Sequence, residues 1–151
     1  MKILMVCLGN ICRSPLAEGI LAHKTQHLDV TVESAGTAGY HIGKLPDSRS
    51  IEIANKYEID ISNQKARQFS RADFDEFDII YAMDTNNFAH LTSLAENQNE
   101  RNKIRMILNE INPESFDSVP DPYYGGDNGF HLVYNMLDKA CNKIITQFAC
   151  P

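Results

Sequence analysis

The sequence predicts an α/β fold: a three-layer α/β/α sandwich around a central four-stranded parallel sheet. Three observations carry that expectation. Short apolar runs alternate with stretches whose apolar residues recur at helical spacing. The first run ends in a Gly-Asn turn that leads directly into a helix start. The chain closes on a long amphipathic segment. Strands separated by helices pair in parallel through right-handed crossovers, and such sheets gather ligands at the carboxyl ends of their strands.

The elements follow in order. Lys2–Val6 reads as a buried strand bounded by Gly9. Pro15, with no N–H to lose and a pre-set φ, suits the first position of a helix whose stripe is Leu16, Ile20, Leu21 and Leu28. Val30–Glu33 is a second strand, and Ser34–Pro46, with Gly36, Gly39 and Gly43, reads as irregular loop. Asp47 or Ser48 caps a helix with Ile51, Ile53, Ala54 and Tyr57 on its apolar face. Ser70-Arg71-Ala72-Asp73 has the form of a capping box before a short helical turn. Phe77–Met83 is the third strand, Asp84 caps the next helix, and Lys103–Leu108 is a weaker fourth strand. In the last helix Phe130, Val133, Tyr134, Leu137, Cys141, Ile144, Ile145 and Phe148 lie along one face.

Composition narrows the function. At 151 residues without repeats or a linker-like stretch, residues 1–151 read as one domain. A formal charge of −6 lacks the basic field a nucleic-acid partner requires. No apolar stretch reaches the roughly 18 residues of a membrane span. The run Ile3–Leu8 is too short for a signal-peptide core and has no small-residue cleavage site. Four cysteines are too few for a disulfide framework at this length, so free thiols in the cytoplasm are the expectation.

Chemistry concentrates in Cys7-Leu8-Gly9-Asn10-Ile11-Cys12-Arg13-Ser14-Pro15. A helix N-terminus presents unpaired N–H groups and a partial positive charge, so it attracts anions. Consecutive amides before it form a concave nest, and Gly9 and Asn10 are the residue types that let amides converge. Arg13 can clamp two oxygens with its planar fork. The same field stabilises a thiolate, with Ser14 placed to donate to the Cys7 sulfur. Leu8 to Ser14 is therefore expected to bind phosphate or another oxyanion.

These residues closely resemble the signature of the low-molecular-weight protein tyrosine phosphatases. Asp121-Pro122-Tyr123-Tyr124-Gly125-Gly126 matches a second family motif, and Ser34-Ala35-Gly36-Thr37 and Ala82-Met83-Asp84 extend the likeness over nearly the whole chain. The resemblance implies hydrolysis of phosphotyrosine in proteins or peptides through a cysteinyl-phosphate. Cys7 would be the nucleophile, Arg13 the phosphate clamp, and Asp121 the general acid and then base. It also implies that Asn10, Ser14 and Ser34 shape the loop, and that Tyr40, Tyr123 and Tyr124 wall the cleft with Ile11. Cys12 would protect an oxidised Cys7 as a reversible disulfide. Gln64 departs from the family, whose members often carry His before the residues matching Lys65-Ala66-Arg67. No metal or cofactor is implied.

Two rivals share the fold. A thioredoxin-linked arsenate reductase needs a further cysteine pair in the middle of the chain, and none lies between Cys12 and Cys141. Protein-arginine phosphatases tend to have Thr where this chain has Ile11, an apolar residue suited to a phenyl ring. Elsewhere, Gly39–Leu45 lacks the glycine spacing and Ser/Thr of a Walker loop. Only His23 and His27 among the five histidines have helical spacing, and they read as a surface face. Cys141 reads as core and Cys150 as incidental.

Overall fold

The computed structural model describes residues 1–124 and 127–149, without the side chains of Tyr124, Asp127 and Ala149. Four strands, β1 (Lys2–Cys7), β2 (Thr31–Gly36), β3 (Ile79–Ala82) and β4 (Ile104–Met106), form one sheet in the order β2-β1-β3-β4. Every pairing is parallel. The helices are α1 (Arg13–Lys24), α2 (Ser48–Lys56), α3 (Asp73–Glu76), α4 (Thr85–Leu94), α5 (Gln98–Lys103) and α6 (Asp127–Ala149), with 3₁₀ turns at Ile107–Glu110 and Pro122–Tyr124.

Strand periodicity divides the core. Ile3, Met5 and Cys7 of β1 face one side, packed with Leu16, Ile20 and Leu21 of α1, Ile53 of α2 and Leu137 and Ile144 of α6. Leu4 and Val6 face the other, packed with Phe74 of α3, Leu91 of α4 and Phe69 and Phe77 of the flanking segments. Both faces of β1 are thus dry, which explains its unbroken apolar sequence. Each fully buried side chain of this size stabilises the fold by roughly 1.5–3 kcal/mol. Among the described residues no helix is long and apolar enough to cross a membrane.

Helix α1 begins at Arg13, so Pro15 is its third residue rather than its first. The cost is small, because N–H groups anywhere in the first turn lack intrahelical partners. The helix ends at Lys24, which leaves Leu28 and His27 beyond it. Strand β2 runs to Gly36, three residues past the expected end, so Ser34–Gly36 is strand and not loop. Strands β3 and β4 are shorter than the runs Phe77–Met83 and Lys103–Leu108, and Leu108 falls in a 3₁₀ turn. The caps hold as expected: Asp47 accepts from Arg49 N at 2.9 Å, and Asp84 from Asn87 N at 2.7 Å. Asp73 begins α3 and its carboxylate accepts from Ser70 N at 2.9 Å. Tyr57 caps the end of α2 and stacks, half-exposed, on Tyr134 of α6 at 4.1 Å. Helix α5, polar throughout, has no apolar period to announce it.

From β1 the chain crosses to β2 on one side, and the sheet continues through β3 on the other. The segment after Cys7 therefore emerges at the switch in strand order, where neighbouring crossovers diverge and leave a crevice.

Candidate active site

The crevice is a cleft of about 250 Å³ lined by Cys7, Leu8, Gly9, Ile11, Cys12, Arg13, Tyr40, His41, Asp121 and Tyr123. Two segments more than 100 residues apart in sequence, around Cys7 and Asp121, meet there. Cys7 and Arg13 are each only 3% exposed. Tyr40 and Tyr123 stand at 73% and 42% on the rim.

The loop is held from inside by Asn10. Its backbone lies in the left-handed region at φ 58°, which Asn tolerates better than most residues. Its N–H points at Cys7 Sγ, 3.3 Å away. Its side-chain amide donates to Ser14 Oγ at 2.8 Å and to Ser34 Oγ at 3.0 Å, while its Oδ1 accepts from Arg67 N at 3.0 Å. All three polar positions of the side chain are engaged, so the amide has one orientation. Ser14 Oγ lies 3.0 Å from Cys7 Sγ. Because that hydroxyl already accepts from Asn10, its own hydrogen is available for the sulfur.

Ser34 passes its hydrogen on to Glu18 Oε1 at 2.6 Å. Burial pushes the Glu18 carboxyl up to about 7, although the Ser34 hydrogen bond pulls against it. Sequence reading missed Glu18. Close by, Gln64 donates to Pro15 O at 3.1 Å, and its Oε1 is buried without a hydrogen-bond partner. Burial, reinforced by the charges of Asp47, Cys7 and Asp121, also pushes the Cys12 thiol up to about 12. Cys12 therefore stays protonated at neutral pH.

Arg13 is fixed by two acceptors. Its Nη1 donates to Asp84 Oδ2 at 2.7 Å and to the Val119 carbonyl at 2.9 Å. Its Nη2 lies 3.9 Å from Asp121 Oδ2. Val119 N in turn donates to the Met83 carbonyl at 2.8 Å, which ties the approach to Asp121 to the end of β3. Asp121 Oδ1 accepts from Tyr123 N at 3.0 Å, so the carboxylate turns its other oxygen toward Arg13.

Close packing seats the loop on β2. A Cβ on Gly36 would meet Leu8 O at 2.7 Å and Gly9 C at 3.1 Å, so only glycine fits. Thr37 and Ala38 continue the contact by donating to the carbonyls of Cys7 and Leu8, both at 2.9 Å. At Gly9 a Cβ would meet a side chain instead of backbone, 2.9 Å from His41 Cδ2. His41 thus covers the loop and lines the cleft, a position its sequence gave no reason to expect.

Of the anticipated residues, Ile11, Tyr40 and Tyr123 line the cleft and Cys141 is buried in the core. The Tyr124 side chain, Gly125, Gly126 and Cys150 lie outside the described residues. Among those described, no group of three or more His, Cys, Asp or Glu side chains is placed to hold a metal ion.

The family model for low molecular weight phosphotyrosine protein phosphatases matches residues 2–149. The chain belongs to that family. A Bacillus subtilis member, the low molecular weight protein-tyrosine-phosphatase YfkJ, is 38% identical over 95% of this chain and 93% of its own. A protein tyrosine phosphatase from Entamoeba histolytica, solved with Hepes in its active site, superposes with a TM-score of 0.90 at 37% identity, covering 98% and 96% of the two chains. An arginine phosphatase from Drosophila superposes with a TM-score of 0.91 at 31% identity, covering 99% of each.

Proposed function

We propose that this member of a phosphatase family hydrolyses phosphotyrosine in proteins or peptides by two displacements at phosphorus, with Cys7 as the nucleophile. One observation carries the reading: the Cys7 sulfur, the Arg13 guanidinium and the Asp121 carboxylate line one cleft, with the sulfur on its floor and an aromatic rim above.

In the first displacement the Cys7 thiolate attacks phosphorus and the bond to the phenolic oxygen breaks. Asp121 gives that oxygen its proton, so the leaving group departs as neutral phenol. Arg13, with amides of the Leu8–Ser14 loop, holds the non-bridging oxygens as charge redistributes. In the second displacement water attacks the cysteinyl-phosphate while Asp121 takes a proton from it. The thiolate leaves and inorganic phosphate is released. Ser14, 3.0 Å from the sulfur, stabilises the negative charge that returns to it as the thiolate leaves. No cofactor enters this scheme. Ile11, Tyr40 and Tyr123 offer apolar and aromatic surface to the phenyl ring.

Drosophila arginine phosphatase superposes as well as the tyrosine phosphatases do, so phosphoarginine is the competing substrate. Ile11 favours the aromatic reading, because an apolar side chain has no hydroxyl to direct water or a guanidino group. Purified protein offered phosphotyrosine, phosphoserine and phosphoarginine peptides should cleave the first preferentially. Preference for phosphoarginine would overturn the substrate assignment. Cys7→Ser should abolish p-nitrophenyl phosphate turnover while retaining phosphate affinity, and retained turnover would remove the nucleophile assignment.

A further inference from the structure

The first turn of α2 touches both halves of the cleft. On the loop side, Asp47 N donates to the Ile11 carbonyl at 2.8 Å, and Ser50 Oγ to the Cys12 carbonyl at 3.3 Å. On the acid side, Arg49 Nη2 donates to the Tyr123 carbonyl at 3.2 Å. The two sides are joined within the turn, where Arg49 grips Asp47 with Nε to Oδ1 at 3.0 Å and Nη2 to Oδ2 at 3.1 Å. That grip pulls the Asp47 carboxyl below its usual range, against the opposing effect of burial. The guanidinium also lies 4.6 Å from the ring centroid of Phe130 in α6 and 5.6 Å from that of Tyr123. One cation thus meets a carboxylate, a carbonyl and two rings.

Tyr123 is the residue whose N–H holds Asp121 Oδ1. A group that fixes the Tyr123 carbonyl therefore acts on the Asp121 carboxylate through two bonds' length of backbone. We propose that Arg49 is a positioning residue for Asp121, setting the acid's place relative to the Cys7 loop through the Asp47–Arg49 bridge. Arg49 is not among the residues lining the cleft and is assigned no contact with the reacting atoms. Displacements on the order of 1 Å at a reacting group can cost about 10²-fold in rate, so such a bridge has chemical leverage. A lysine could not reproduce it, because one ammonium lacks the planar fork that spans carboxylate and carbonyl together.

This inference rests on the acid role of Asp121, and the experiment separates the two. The readout is kcat/KM for a series of aryl phosphates of graded phenol acidity, since that quantity reports the step in which the phenol leaves. Asp121→Asn should steepen the dependence on leaving group. Arg49→Ala should steepen it partially, with roughly tenfold loss for phenyl phosphate and less than about twofold for the most acidic phenol, a share of the ~10²–10⁴ that acid catalysis supplies. Arg49→Lys should match Arg49→Ala. Competitive inhibition by inorganic phosphate should be unchanged in both Arg49 variants, which shows that the Cys7 loop is intact. A uniform loss across the series, no loss, or full rescue by lysine would overturn the positioning role while leaving the acid in place. An unaltered slope in Asp121→Asn would instead remove the acid assignment, and this inference with it.

Discussion

Arg13 and Asp84 form a short, largely buried ion pair, with Nη1 and Oδ2 2.7 Å apart. The same carboxylate caps α4 through its other oxygen, which accepts from Asn87 N. One side chain therefore anchors a helix and orients the guanidinium at the cleft floor.

Asp84→Ala should weaken both. Removing the partner of a buried charge costs about 3–5 kcal/mol, and losing a cap adds roughly 0.5–2 kcal/mol. Water entering the cleft will offset part of the first. Asp84→Asn keeps the capping oxygen and should recover most of the second. Urea denaturation of the two variants measures the split, and phosphate inhibition should weaken in both.

Asn10→Asp tests the hydrogen-bond chain around Cys7. Aspartate tolerates the left-handed backbone and can still accept from Arg67, yet it cannot donate to Ser14 or Ser34. Ser14 then turns its hydrogen toward the new carboxylate, away from the sulfur, and a negative charge enters the loop. Alkylation of Cys7 by iodoacetamide at pH 6 should slow by about tenfold or more, one to two charge-assisted hydrogen bonds' worth.

Glu18 predicts a pH-dependent stability. Its ordinary value is 4.5 and burial raises it to about 7 in the fold. Below pH 4.5 the carboxyl is protonated in both folded and unfolded chains, and the shift has no effect. As pH rises from 4.5 toward 7 the unfolded chain gives up this proton while the folded chain retains it, so stability falls. Above 7 the penalty is complete. Glu18→Gln keeps an acceptor for Ser34 and does not titrate. Its advantage over the wild type should be near zero at pH 4 and on the order of 3 kcal/mol at pH 8. Thermal melts at the two pH values measure it.

Gly36→Ala should damage the cleft from behind. Its Cβ would press on backbone atoms of Leu8, Gly9 and Ala38, none of which can rotate aside. Overpacking of this kind costs typically 1–3 kcal/mol, and the movement that relieves it displaces the Cys7 loop. The variant should melt earlier and bind phosphate less tightly. An alanine at Gly43, where φ is 84° but nothing lies within 4 Å, should lose stability with no change in phosphate affinity.

What could be read from sequence were features whose cause is local. The apolar run of β1, the Gly-Asn turn and the Arg-Ser-Pro helix start each follow from chain geometry over a few residues. The period of α6 reflects one buried stripe. Ser34–Gly36 misled because small and polar residues with a glycine resemble loop. There the strand exists because β1 pairs with it, Cys7 opposite Gly36, and because the loop above needs a bare backbone. Asp84 was legible as a cap but not as the partner of Arg13, which lies 71 positions away. Glu18, His41 and Arg49 were invisible for the same reason. Each acquires its role from a neighbour that only tertiary packing supplies.

On the proposed mechanism, the contrast between a nearly hidden sulfur and two exposed tyrosines would make the cleft a depth gauge. With Cys7 as the proposed nucleophile, a phosphorylated side chain would have to carry its phosphorus past that rim, and a stalk as short as that of serine would leave the phosphate nearer the mouth. Reach, measured in bond lengths from the main chain of the incoming protein, would then be the first property on which candidates are sorted, ahead of any contact with the residues that flank them.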